Sequence, residues 1–110
     1  MGAIIEIVTF RLTPETTEEA FVAAAAQSLA FLARQPGFLH REVGVTVDGE
    51  WTDIVRWASL GEALRAAKAF NDAPETQAFN ACLVRGSAQM RHVRAVYRSD
   101  EATTDSAAAG

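Results

Sequence analysis

Four side chains of this 110-residue chain have the type and the surroundings for proton transfer: Glu6, His40, Asp53 and His92. Glu6 interrupts an otherwise apolar run, "IIEIVTF", where a carboxylate rarely persists without a partner. Asp53 stands between Trp51 and Trp57 in "EWTDIVRW" at the same parity, so a strand puts Trp51, Asp53, Val55 and Trp57 on one face. Half-apolar surroundings disfavour the charged form of a carboxylate, and a nearby histidine favours it. That balance is how a general base working near neutrality is made. Each residue also has a plainer reading. His40 fits a partly exposed, hydrogen-bonded histidine, and His92, among arginines, fits a structural or interfacial one. Glu6 fits a salt bridge to Arg91 or Arg94, and Asp53 fits a pair across the sheet or a contact with backbone near Gly44.

The elements that position these groups follow from the pattern. "AIIEIVTFRL" is β-branched and aromatic without a breaker, a well-buried strand. "TPETTEEAF" opens a helix, with Thr16 and Glu19 spaced as a capping box. The alanine-rich helix runs to about Arg34, with Phe21, Ala25, Ser28, Leu29 and Leu32 near one face. Pro36-Gly37 stops it. "FLHREVGVTV" and "EWTDIVRWA" flank Asp48-Gly49, the pair that favours a two-residue type I′ hairpin. That turn sets His40 opposite Trp57, Glu42 opposite Val55, Gly44 opposite Asp53 and Thr46 opposite Trp51. Ser59 and Glu62 cap a second helix, a short helix starts near Pro74, and "SAQMRHVRAVY" is the last strand. The order β-α-β-β-α-β predicts a ferredoxin-like α+β domain over residues 1–98, a four-stranded antiparallel sheet with helices on one face. Residues 99–110, small and acidic, predict a mobile tail.

The strands carry apolar side chains on both parities, Ile5 and Ile7 against Ile4, Val8 and Phe10. Helices cover one side only, so the other predicts a homodimer packed sheet to sheet. A formal charge of −4 removes the electrostatic case for nucleic acid. Arg85, Arg91, Arg94 and Arg98 fall on both faces and suit surface and dimer pairing. Cys82 alone allows neither a disulfide framework nor a CxxC site. Two histidines and scattered carboxylates give no metal-ligand spacing. No run reaches the about 18–20 apolar residues of a membrane span, and a cytoplasmic location is the expectation.

"EIVTFRLTPET", "QPGF", "DIVRWASLGEAL" and "NDAPETQAF" together resemble the antibiotic biosynthesis monooxygenase-like domains of the dimeric α/β barrel superfamily. The resemblance spans nearly the whole chain to Tyr97. It implies a dimer whose sheets form a shared barrel, with a pocket in each subunit between sheet and helices. Several members oxidise small aromatic or polyketide substrates with O₂ and no metal or flavin. Trp57 matches their pocket-lining tryptophan, and Phe10, Val55 and Phe21 are the candidate apolar lining beside it. Haem-degrading relatives carry a ligand histidine on the second helix. "RAAKAF" has none there, which speaks against haem by that route. The asparagine those enzymes use on the first strand is also missing from "IVTF". The resemblance thus implies a small-molecule pocket protein like the cofactor-independent monooxygenases, with no metal and no cofactor. The alternative is a non-catalytic ligand-binding or stress-responsive dimeric barrel whose own side chains fill the pocket.

Overall fold

A computed structural model of the chain describes residues 2–99. Strand β1 (Ile4–Phe10) pairs antiparallel with β3 (Trp51–Trp57) on one side and β4 (Gln89–Arg94) on the other. Strand β2 (Phe38–Val45) completes the order β2-β3-β1-β4. Helices α1 (Glu18–Leu32) and α2 (Leu60–Phe70), a 3₁₀ turn (Pro74–Thr76) and the short α3 (Gln77–Ala81) lie on one face. The ferredoxin-like α+β architecture is therefore present. The expected tail falls, beyond Ser99, outside the described residues.

The face under the helices carries Ile4, Glu6, Val8 and Phe10 of β1 and every odd residue of β3. Its core has two lobes. Phe10, Phe21, Trp51 and Phe79 pack ring against ring at one end, with centroids 4.8–5.8 Å apart. Ile4, Phe31, Leu32, Val55, Trp57, Ala63 and Ala66 form the other. Glu6 and Asp53 are buried on the strands that run between them. Among the described residues no helix covers the opposite face, which presents Ile5, Ile7 and Ile54, all half-buried, with the exposed Val93.

Two local expectations are corrected. Helix α1 is capped by Thr17, whose hydroxyl accepts from the Ala20 amide at 3.0 Å; Thr16 instead bonds Thr13 through their hydroxyls at 2.6 Å. The buried stripe is Phe21, Ala24, Ser28, Phe31 and Leu32, and Leu29 is exposed. The second correction reaches the site. Gly49 takes φ +90°, but Asp48 does not adopt positive φ, so no type I′ turn forms. Gly49 N–H donates to Thr46 O at 3.0 Å and Thr46 N–H to Glu50 O at 2.9 Å, a three-residue loop over Val47, Asp48 and Gly49. A left-handed glycine closing a turn of this length is the usual three-residue solution. The register becomes Val45↔Trp51, Val43↔Asp53, Arg41↔Val55 and His40↔Arg56, with an irregularity between Phe38 and His40. One residue of slip exchanges the faces of a strand. Arg41 and Val43 therefore turn inward, and His40 and Glu42 turn out.

Candidate active site

Asp53 and Arg41 form the most heavily bonded contact under the helices. The guanidinium donates from Nε to Oδ1 at 3.0 Å and from Nη2 to Oδ2 at 2.7 Å, a bidentate pair with side chains 7% and 9% exposed. Its Nη1 reaches α1, donating to Ala25 O at 3.0 Å and to the Ser28 hydroxyl at 2.8 Å. Its plane lies 5.2 Å from the Phe79 ring centroid, a cation–π contact with α3. One side chain on an edge strand thus ties β3, α1 and α3 together. It also occupies both oxygens of Asp53. The guanidinium takes one lone pair from each oxygen and stands as a fixed cation beside the carboxylate, so Asp53 lines the site as half of an ion pair.

Glu6 is placed differently. It lies directly across from His92 on the neighbouring strand, and His92 Nε2 meets Glu6 Oε2 at 2.8 Å. A carboxylate only accepts, so the imidazole donates from Nε2. No other hydrogen bond among the described residues engages the Glu6 side chain, which leaves Oε1 open. The partner is His92, not Arg91 or Arg94.

Glu6 and Asp53 both line a cavity of about 240 Å³ between sheet and helices. Val8, Val55 and Trp57 form its floor with them, and Leu32, Ala66, Ala67, Phe70, Asn71, Phe79 and Asn80 its roof, while Leu83, Ala88 and Met90 line one side. Ala66 and Ala67 leave space beneath α2 that larger residues would fill; the alanines of α1 do not line this cavity. Trp57 is fully buried, and its indole N–H has no hydrogen-bond partner among the described residues. The indole nitrogen is itself buried, so Trp57 contributes ring surface to the cavity wall.

A wider groove of about 530 Å³ runs outside, between α1 and the free edge of β2, past Phe21, Leu29, Phe38, Leu39, His40 and Trp51. It contains no carboxylate, and the more enclosed cavity is the better candidate for chemistry. Of the sequence candidates, Glu6, Asp53, Val55 and Trp57 line the cavity and His92 reaches it through Glu6. His40 is exposed on the groove and is not opposite Trp57, because the register slips. Phe10 is core packing and lines neither space; Phe21 is core on one side and groove wall on the other. Trp51 closes the aromatic lobe. Arg41, Asn71, Phe79 and Asn80 were not among the sequence candidates. Only Arg41 left a signal, a cation two residues from Val43 in a strand facing a buried acid.

The family model for antibiotic biosynthesis monooxygenases matches residues 3–81. No curated protein matches the chain. Among solved structures, SnoaB, a cofactor-independent oxygenase from Streptomyces nogalater, is similar with a TM-score of 0.71 at 20% identity, over 89% of this chain and 97% of its own. A candidate antibiotic biosynthesis monooxygenase from Bordetella bronchiseptica gives 0.74 at 19% identity, over 88% and 100%. A further candidate from Caulobacter crescentus gives 0.65 at 16%, over 87% and 92%. At these identities the structural likeness speaks for the fold.

Proposed function

This chain belongs to the antibiotic biosynthesis monooxygenase family, and from that premise we infer that it oxidises small aromatic or polyketide-like compounds with O₂ in the cavity beside Trp57. The observation that carries this reading is Glu6 Oε1, a carboxylate oxygen without a hydrogen bond in the wall of a mostly apolar cavity. The volume of about 240 Å³ is below the roughly 300–1,000 Å³ of pockets that take drug-sized ligands, which suits one or two rings.

Glu6 removes the hydroxyl proton of an electron-rich phenol, and His92, donating to Oε2, holds the carboxylate and supports its charge. The resulting anion gives an electron to O₂, and the radical pair joins at a ring carbon to make a C–O bond. That intermediate hydroperoxide breaks its O–O bond and loses water. Overall a ring CH₂ (in the keto form) and O₂ give a ring C=O and H₂O. The carbon supplies four electrons and two hydrogens; one oxygen stays and the other leaves as water. The apolar walls exclude bulk water from the anion.

The uncovered sheet face supports a second part of the reading. Ile5, Ile7, Ile54 and Val93 on that face suit a homodimer formed sheet to sheet, as the family resemblance implies. The working place of such a protein is the cytoplasm; no described helix is long and apolar enough to cross a membrane.

Oxygen uptake with phenolic and hydroquinone compounds, without added cofactor, tests the chemistry. At least one compound should be turned over, and Glu6→Gln should lower kcat by about 10²–10⁴. Either no uptake with any compound, or full activity in Glu6→Gln, would overturn the assignment and leave a ligand-binding barrel.

A further inference from the structure

Helix α1 is apolar on its outer side as well as on the side that faces the sheet. Between Glu19 and Arg34 the outer side carries Val22 and Leu29, 55% and 40% exposed, among exposed alanines. Gln27 is the one polar side chain exposed there. A helix that is apolar all round is normally covered all round. Among the described residues nothing covers this side. Beside it lies the groove of about 530 Å³ along the free edge of β2, and Val22, Ala26 and Leu29 line its helix bank.

The spacing on this face is that of a helix-pairing seam. Glu19, Ala26 and Ala33 recur every seven residues, and Val22 and Leu29 each follow three residues after a seam position. At about 100° per residue, Val22 and Leu29 fall on the groove side of the seam and Ala23 and Ala30 on the other. Charge stands only at the ends. Glu18 and Glu19 open the helix, and Arg34 follows its last turn, with a side chain 58% exposed although it also bonds Glu75. A second copy of the helix laid parallel would set Glu19 on Glu19 and Arg34 on Arg34. Laid antiparallel, about a two-fold axis at Ala26, it sets Glu19 beside the partner's Arg34 at both ends. Val22 then meets the partner's Leu29 over the groove, and Ala23 meets the partner's Ala30, where small side chains permit close approach. The opposed helix dipoles favour the same arrangement.

We propose that the outer face of α1 is a self-association surface, on which a second copy of this chain docks through an antiparallel α1 pair. The face lies on the far side of the molecule from the open sheet, so this contact is separate from the sheet-to-sheet dimer and independent of the oxygenation chemistry. One helix about 22 Å long per copy makes an interface at the small end of the range, below about 1,200 Å². The pairing is therefore weak and driven by concentration.

Sedimentation of the full chain from about 10 μM to about 1 mM tests the proposal. The mass should rise twofold from its value at the dilute end. Ala26→Arg and Leu29→Glu, both at exposed positions, should keep the parent's circular dichroism and hold the mass at the dilute value. Glu19→Arg and Arg34→Glu should each fail to associate alone, because each sets like charges together. An equimolar mixture of the two should regain the twofold rise, since every end of the mixed pair again joins Glu to Arg. A constant mass up to about 1 mM would overturn the proposal and leave the groove to a different ligand. Association undiminished by Ala26→Arg and Leu29→Glu would overturn it by placing the contact elsewhere. A mixture that stays dissociated would refute the antiparallel arrangement.

Discussion

Replacing Asp53 with alanine should be among the costliest single changes in this protein, and the reason is Arg41. The pair is bidentate, at 2.7 and 3.0 Å, with side chains 9% and 7% exposed. The variant keeps a largely buried cation whose main counter-charge is gone. Removing one partner of such a pair costs about 3–5 kcal/mol. Ala25 O, the Ser28 hydroxyl and the Phe79 ring still hold the guanidinium, so the lower end of that range is expected. Small domains have about 5–15 kcal/mol in total, and 1 kcal/mol moves Tm by about 4–8 °C at this size. A loss of about 3 kcal/mol therefore lowers Tm by more than about 10 °C. Urea unfolding should show the midpoint falling with an unchanged slope. The double variant Arg41→Met/Asp53→Leu removes both charges at similar volume and should recover most or all of the loss. If Asp53→Ala lies within about 1 kcal/mol of the parent, the pair is behaving like an exposed one. If the double variant is as unstable as Asp53→Ala, packing and not charge was the cause. Either result refutes the reasoning.

Other consequences are read with similar measurements. Trp57 is fully buried in the core beside Val55 and Ala63, so Trp57→Ala should cost about 3–5 kcal/mol in urea unfolding. Trp57→Phe, which keeps a ring and deletes the N–H, is the better control for activity. Acid should destabilise the protein partly through Glu75 and Asp48. The Glu75 carboxyl is held low by its own backbone N–H and then by Arg34; that of Asp48 is held low by the Thr46 hydroxyl, with backbone and Arg11 assisting. A lowered folded value means the unfolded chain binds more protons, so this stability is full above the ordinary 4.5 and 3.8 and fades as pH falls through the lower folded values. Glu75→Gln should flatten unfolding midpoint against pH in that acid window, and an unchanged slope would count against the Arg34 contact. Light scattering at micromolar concentration should give twice the chain mass; a monomer would remove the sheet-to-sheet dimer.

The topology was legible because it depends on features that local chemistry sets strongly. Alternating buried residues in Trp51–Trp57, the Ser59 cap and the Pro36-Gly37 stop each act over a few residues. Glu6 was legible for the opposite reason, as a charge where the pattern allowed none, and the structure gives it His92. Asn71, Asn80 and Phe79 were not legible, since they converge only when α2 and the short α3 fold back over the sheet. The α1 stripe was not legible because alanines at 20, 23–26 and 30 leave more than one helix face apolar, while the choice between Thr16 and Thr17 as cap was open because both offer a hydroxyl.

The hairpin shows how such an ambiguity could be resolved without coordinates. Asp48-Gly49 suits a two-residue turn by propensity, and that choice pairs Gly44 with Asp53 and turns Arg41 outward. Under that register Asp53 is buried between tryptophans with no cation on the facing strand, a state costing several kcal/mol. Propensities for alternative tight turns differ by far less, on the order of 1 kcal/mol. The three-residue loop brings Arg41 inside, and the salt bridge then forms at 2.7 Å. Pairing the buried charge outweighs the turn preference and decides the register, and the turn adapts through Gly49 alone. A buried carboxylate thus selects among hairpin registers, and in doing so it places His40 outside, on the groove between α1 and β2.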